Sequence, residues 1–305
     1  MAYVLALAAA FAFALGTVLQ QKGTLEAPAA QGDPRWLTQV FGRPVWLAGA
    51  GCQAGGWVLQ AVALDRGSLI VVQSMTTLSL VIALPLGARI THQRVDTRVR
   101  AGAWAVVVGI VLFLALGTPQ AGTSAPTAAT WWTVGLCSSV VVGALAAGAA
   151  HRQGAVKAAL LGSAAGVAFA LQASVTKVFV GLVGQGLSAV VHSWTTYVLV
   201  ATALVGFAFQ QGALRTDALA PALGSSNAMT LFASVVFGVT LFGDTLSKGN
   251  GRVAPSVIGL LVALGGVALL ATGEPQASSL PTPSLDPATG SPDEPPAQNR
   301  AGTSL

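Results

Sequence analysis

Long apolar stretches separated by short polar links dominate the chain. An α-helix rises about 1.5 Å per residue, so about 20 consecutive apolar residues cross the hydrocarbon core of a bilayer. The pattern predicts an all-α polytopic membrane protein with nine transmembrane helices. These helices cover residues 2–20, 44–64, 68–88, 101–117, 131–150, 155–178, 192–212, 218–243 and 254–273.

Three stretches depart from this pattern. Residues 21–43 mix aromatic with polar side chains and predict an interfacial helix. The Gly-rich segment 181–191 predicts a short re-entrant or interfacial turn. Residues 274–305 are rich in Pro, Ser and Thr, cannot bury a core, and predict a disordered tail.

Composition supports the membrane interpretation. Of the 305 residues, 53% are hydrophobic and 8% are charged, and the mean hydropathy is +0.71. An average soluble domain is about 25% charged. These values exclude a soluble enzyme, a disordered protein and a nucleic-acid-binding module. The net charge of +5 comes from basic residues in the links between apolar stretches.

The basic residues are unevenly divided between the two sides of the predicted membrane. On a nine-span count, one set of alternate links carries eleven of the 15 Lys and Arg residues. The other set carries Arg66, Lys177, Lys248 and Arg252. The positive-inside rule then places the N-terminus outside a bacterial plasma (inner) membrane and the C-terminal tail in the cytoplasm.

An internal repeat relates the two parts of the chain. Three short matches occur in the same order in both, at nearly one offset, and this order favours duplication over chance. They pair residues 12–15 with 168–171, 56–64 with 206–214, and 109–119 with 265–275, at offsets of 156, 150 and 156 residues.

The repeat predicts the organisation of the domains. Helices 1–4 match helices 6–9, and a shift of five spans reverses the direction of the second copy. Inverted repeats are typical of secondary transporters, whose substrate site lies near the midplane of the membrane. The predicted parts are a first repeat over 1–120, a linker helix 5 over 121–152, a second inverted repeat over 153–273, and a cytoplasmic tail over 274–305.

The eighth helix ends in Leu-Phe-Gly-Asp-Thr-Leu-Ser over residues 241–247. This run resembles the Leu-Gly-Glu-x-Leu-Thr/Ser signature that closes the penultimate helix of EamA-like permeases, in the drug/metabolite transporter (DMT) superfamily. Asp244 replaces the usual Glu, and the corresponding residues 86–91 contain no acid. The resemblance covers most of residues 1–273. It implies a transporter that works by alternating access, without identifying the solute.

Two further runs are similar to the NIPA magnesium-transporter branch. They are residues 15–23 and 72–79, and in the second run Val72, Leu78 and Ser79 agree with that branch. This likeness implies magnesium as an alternative substrate. Under that alternative, Asp65 and Asp217 are the candidate metal ligands.

Neutral polar side chains are the candidate chemistry inside the membrane. No carboxylate stands near a predicted helix centre, which disfavours a proton-coupled exporter. Lys177 and Asp244 are interpreted as interfacial charges near helix ends. Buried amides and hydroxyls suit a neutral or zwitterionic solute or a partly hydrated ion, although they also serve as hydrogen bonds between helices. The candidate cavity residues are Gln60, Gln73, Thr76, Thr77, Gln172, Gln210, Ser225, Ser226 and Asn227.

The predicted function is a DMT-type transporter that moves a small solute across the bacterial plasma membrane. The alternatives are a NIPA-like magnesium transporter and a non-transporting membrane subunit. No enzyme and no cofactor are predicted, because no histidine has an acid or nucleophile at a catalytic spacing. The expected partners are a small-molecule or ion substrate and the lipid bilayer, not nucleic acid, and a homodimer remains open. Gly162-x-x-x-Gly166 is predicted to pack its helix closely against a neighbour.

Overall fold

The computed structural model places ten helices and one isolated β-bridge in the part of the chain that it describes. The predicted tail lies outside the described residues, as does most of the predicted interfacial helix. The described residues are 1–25, 42–90, 97–122, 126–214, 216, 219–245 and 253–271.

The helices follow the apolar stretches closely. Pro44 opens the second helix, at a position where proline lacks only an N–H that would have no helical partner. Gly186, with φ of 101°, precedes a six-residue helix inside the segment predicted as a turn. In chain order the helices are α1 Ala2–Leu25, α2 Pro44–Arg66, α3 Leu69–Ile90, α4 Thr97–Gly117, α5 Ala128–Ala150, α6 Gly154–Val183, α7 Leu187–His192, α8 Trp194–Leu214, α9 Leu219–Phe242 and α10 Val253–Ala271.

Eight helices in the described residues are long and apolar enough to cross a membrane: α1–α6, α8 and α9. In α10 the apolar stretch found is shorter, Ala254–Leu269. The prediction of an all-helical membrane protein is therefore confirmed. The ninth span stays a prediction.

The beginning of α1 and the end of α6 lie at the same end of the helix bundle. A Cβ placed on Gly67, between α2 and α3, would lie 2.8 Å from the Cβ of Ala2. The Lys177 Nζ donates to the carbonyl oxygen of the same glycine at 3.0 Å. We call this end of the bundle, marked by Gly67, end A, and the opposite end is end B. Since α1 starts at end A and α6 finishes there, the two helices run in opposite directions.

Matched helices make matched contacts. A Cβ placed on Gly56 of α2 would lie 2.6 Å from the Phe13 ring of α1. A Cβ on Gly206 of α8 would lie 2.6 Å from the Phe169 ring of α6. In both helix pairs, therefore, a glycine leaves room for the phenylalanine ring of the partner helix. These residues stand at the positions that the sequence matches pair.

Glycines also allow α4 and α10 to pack closely. On α10, however, the glycine in contact lies one residue after the glycine that the sequence match pairs with Gly109. A Cβ on Gly109 would overlap the backbone of Ala263, and one on Gly266 would lie 2.6 Å from the Val106 nitrogen. These two contacts are related by an offset of 157 residues. Gly265, which the sequence match pairs with Gly109, has open space where its Cβ would be. In the packing, therefore, Gly266 approaches α4 as Gly109 approaches α10.

The predicted close packing of Gly162 and Gly166 is confirmed. A Cβ on Gly162 would overlap the Ala222 carbonyl, and one on Gly166 would overlap the Ser226 carbonyl. Both contacts join α6 to α9. The missing side chains therefore allow the two backbones to approach one another.

Candidate functional site

Three of the predicted cavity residues form a hydrogen-bonded cluster between α2 and α3. The Gln60 Nε2 donates to the Gln73 Oε1 at 2.7 Å, and the Thr76 Oγ1 donates to the same oxygen at 3.0 Å. Gln73 is buried, with 3% of its surface exposed. The buried amide oxygen thus has two donors, as a polar group withdrawn from water requires.

Most predicted hydroxyls donate to carbonyls of their own helix. The Thr77 Oγ1 donates to the Gln73 carbonyl at 2.9 Å in α3. Thr230, which the sequence analysis did not single out, likewise donates its Oγ1 to the Ser226 carbonyl at 2.8 Å in α9. The Ser225 Oγ and the Asn227 Nδ2 likewise donate to carbonyls within α9. In these bonds the side chains act as donors. Their side-chain oxygens keep lone pairs that can still accept a hydrogen bond.

Gln210 differs from Gln60 in that its amide oxygen is not satisfied. Its Oε1 is buried, and within the described ranges no donor lies at hydrogen-bond distance. The Ser226 carbonyl accepts from Thr230 in α9 as the Gln73 carbonyl accepts from Thr77 in α3. Serine is much shorter than glutamine, which explains why the second half lacks the amide–amide bond.

The structure does not bring Gln60 and Gln210 together. Trp194, the first residue of α8, lies near end A, because Trp131 contacts both Trp194 and Phe242 at centroid distances of 5.2 and 6.5 Å. Gln210 is sixteen residues further along α8, about 24 Å at helical rise, towards end B. Gln60 stands six residues before the end of α2, which lies at end A.

The remaining predicted residues are scattered. Gln172 is half-buried on α6. Asp65 is exposed at the end of α2, and Asp217 lies outside the described residues. Within the described ranges, no group of three or more His, Cys, Asp or Glu side chains is arranged to hold a metal ion.

An ion pair at end A is the feature that sequence reasoning missed. Asp244, interpreted from the sequence as an interfacial charge near a helix end, is 2% exposed and is therefore buried within the protein. The Lys177 Nζ lies 4.0 Å from the Asp244 Oδ1 and 4.7 Å from the centroid of the Phe242 ring. The resemblance to the acidic EamA signature was the one signal in the sequence that pointed to Asp244.

The Asp244 carboxylate also binds backbone N–H groups of two other segments. The Gly122 nitrogen donates to Oδ1 at 2.9 Å, and the Ile70 nitrogen donates to Oδ2 at 3.4 Å. Ile70 is in the first turn of α3, where the helix dipole favours an anion. The adjacent β-bridge joins Gln120 and Thr245. One carboxylate therefore connects the end of α9 to the start of α3 and to the link after α4.

A buried apolar cluster adjoins the ion pair and shares Phe242 with it. It contains residues of α1, α2, α3, α6 and α9, so it joins helices from both parts of the chain. Its buried members are Ala6, Ala63, Leu64, Leu69, Val72, Ala170, Ala173, Ala233, Phe237, Leu241 and Phe242.

The long apolar helices define the chain as a multi-pass α-helical membrane protein. It belongs to the same family as an uncharacterized protein of Corynebacterium glutamicum. The two are 30% identical over 266 residues, which cover 86% of this chain and 91% of the relative. No family model matches the chain, and no solved structure matches it.

Proposed function

We propose that the chain is a DMT-type transporter that moves a small neutral or zwitterionic solute across the bacterial plasma membrane by alternating access. The transporting unit consists of two inverted repeats, α1–α4 and α6 with α8–α10. Helix α5 is the linker that reverses the second repeat, and α10 serves as the ninth span.

The observation that carries the proposal is the matched packing of oppositely directed helices. Phe13 lies over Gly56 as Phe169 lies over Gly206, and α1 begins at the end where α6 finishes. The same Phe–Gly contact thus occurs twice, on helices that run in opposite directions. An inverted duplication produces this arrangement. Such duplications are typical of secondary transporters that rock one repeat against the other.

The polar groups near the helix interfaces support a solute without net charge. Gln60, Gln73 and Thr76 offer amide and hydroxyl groups towards end A. The unsatisfied Gln210 oxygen offers an acceptor towards end B. Polar groups therefore lie towards both ends of the bundle. This placement suits a solute that moves from the polar groups near one end to those near the other as the repeats rock. We place the cavity between α1, α3, α6 and α9, with Gln60 and Gln210 supporting it from α2 and α8.

The orientation follows from the charges in the links. End A carries Arg66 and Lys177, which belong to the set of links with few basic residues. The positive-inside rule therefore assigns end A to the outside of the membrane and end B to the cytoplasm.

Transport by purified protein tests the proposal. The chain is reconstituted in proteoliposomes, and uptake of labelled amino acids, nucleosides and neutral drugs is measured beside a magnesium-indicator arm. We expect at least one neutral or zwitterionic solute to accumulate above protein-free liposomes, with competition by the unlabelled solute. Movement of magnesium alone would replace the solute assignment with the ion-transporter alternative. Movement of nothing in either arm would contradict transport.

A matched pair of variants makes the uptake result specific. Gln73→Met removes the amide that accepts from Gln60 and Thr76, whereas Asp65→Asn changes an exposed residue near the same end. Uptake is expected to fall in the first variant and to be unchanged in the second. Equal loss in both would indicate damage to the fold.

A further inference from the structure

We propose that the Lys177–Asp244 ion pair is a latch that holds end A closed. This inference rests on the alternating-access function proposed above and identifies the residues that control one of its two gates. Two observations carry it: the segments that the pair joins and the apolar cluster beside it.

Both charged side chains of the pair lie in one set of helices, and their hydrogen bonds to backbone groups cross to the other set. Lys177, near the end of α6, donates to the Gly67 carbonyl between α2 and α3. Asp244, after α9, accepts from Ile70 of α3 and from Gly122 after α4. Helices α6 and α9 belong to one set, and α2, α3 and α4 belong to the other. Any separation of the sets at end A must break these contacts together.

The apolar cluster next to the pair would open with it. Val72 of α3 is fully buried, and Phe237 of α9 is 8% exposed. Both belong to the cluster that joins the two sets. The Asp244 side chain is 0% exposed and the Lys177 side chain is 14% exposed. Because hydrogen bonds to charged groups are stronger where water is excluded, the bonds from Lys177 to Gly67 and from Ile70 and Gly122 to Asp244 stabilise the closed arrangement of this cluster.

Labelling of a buried cysteine at end A tests the latch. Val72→Cys is introduced after Cys52→Ser and Cys137→Ser have removed the native thiols. The full chain is placed in lipid nanodiscs, and the rate of reaction with a membrane-impermeant maleimide is measured. With the ion pair intact, the reporter is expected to react slowly because it is buried in the closed state.

The decisive variant is Lys177→Met/Asp244→Asn, which removes both charges and leaves no lone charge in the interior. It is expected to react at least about tenfold faster, since it removes the donor to Gly67 and the charge that accepts from Ile70 and Gly122, and a hydrogen bond to a charged group is worth about this factor. The matched control is Asp65→Asn, at an exposed carboxylate near the same end, which is expected to keep the original rate. An unchanged rate in the double variant, or an equal increase in the control, would overturn the latch.

A second variant keeps the test decisive if the double variant does not fold. In Lys177→Met, the Asp244 carboxylate retains its two backbone N–H donors. The reporter is again expected to react faster, and an unchanged rate counts against the latch. The labelling assay needs no solute, so it is independent of the uptake assay. Faster labelling without uptake of any solute would support the latch and refute the transport proposal.

Discussion

The Phe169 ring lies over Gly206 so closely that a Cβ on the glycine would sit 2.6 Å from the ring. The same distance separates the Phe13 ring from a Cβ on Gly56. A helical glycine costs conformational freedom relative to alanine. Its presence at both positions is explained by the aromatic ring that it accommodates.

Gly206→Ala is expected to destabilise the protein by about 1–3 kcal/mol, because the Phe169 ring must leave its position to admit the methyl group. Gly56→Ala is expected to cost a similar amount. Thermal unfolding in nanodiscs, followed by intrinsic fluorescence, measures the change. Gly55→Ala is the control, since nothing lies within 4 Å of its Cβ position and alanine favours the helix. Equal melting temperatures for Gly55→Ala and Gly56→Ala would contradict the proposed packing.

Gly265 and Gly266 give a sharper comparison on α10. Gly266→Ala would bring a Cβ to 2.6 Å from the Val106 backbone nitrogen, which cannot rotate away as a side chain can. We expect a loss of at least about 1–3 kcal/mol in this variant. Gly265→Ala points into open space and is expected to be neutral or slightly stabilising. The opposite ranking of the two adjacent variants would refute the 157-residue offset between α4 and α10.

The positions of the helices could be predicted because hydrophobicity alone determines which segments enter a membrane. The fifth helix, predicted over residues 131–150, spans Ala128–Ala150. Its start lies three residues earlier, where Thr127 caps the helix by accepting from the Thr130 nitrogen at 3.2 Å. Hydropathy does not report such capping bonds, so the predicted start of this helix differs from the observed one.

The ion pair and the exact register could not be predicted, because both depend on contacts between distant segments. Lys177 and Asp244 are each ordinary charges at helix ends in the sequence, and their proximity follows only from how α6 and α9 pack. The sequence match pairs Gly109 with Gly265, whereas the close contact with α4 is made by Gly266. Gly265 and Gly266 are adjacent and identical, so the sequence alone does not tell which of them faces α4.

Gln73→Leu tests the polar cluster on α3. The substitution removes the oxygen that accepts from the Gln60 Nε2, whereas the Thr76 Oγ1 keeps its bond to the carbonyl of residue 73. The expected loss is about 1–3 kcal/mol, the cost of a buried polar group left without its partner. In the double variant Gln60→Leu/Gln73→Leu the loss should be smaller than the sum of the single losses. Additive losses in thermal unfolding would show that the two amides are not coupled.

Gln210→Met and Gln60→Met should affect the stability of the protein differently, although the sequence match pairs the two glutamines. Gln60 donates to Gln73, so its replacement by methionine breaks a hydrogen bond and is expected to destabilise the protein by about 1 kcal/mol. The Gln210 Oε1 is buried without a donor in the described ranges, so its removal is expected to leave stability unchanged or to raise it. If this oxygen accepts from the solute, the same variant should lower uptake in proteoliposomes. A stable Gln210→Met variant with full uptake would exclude Gln210 from the transport path.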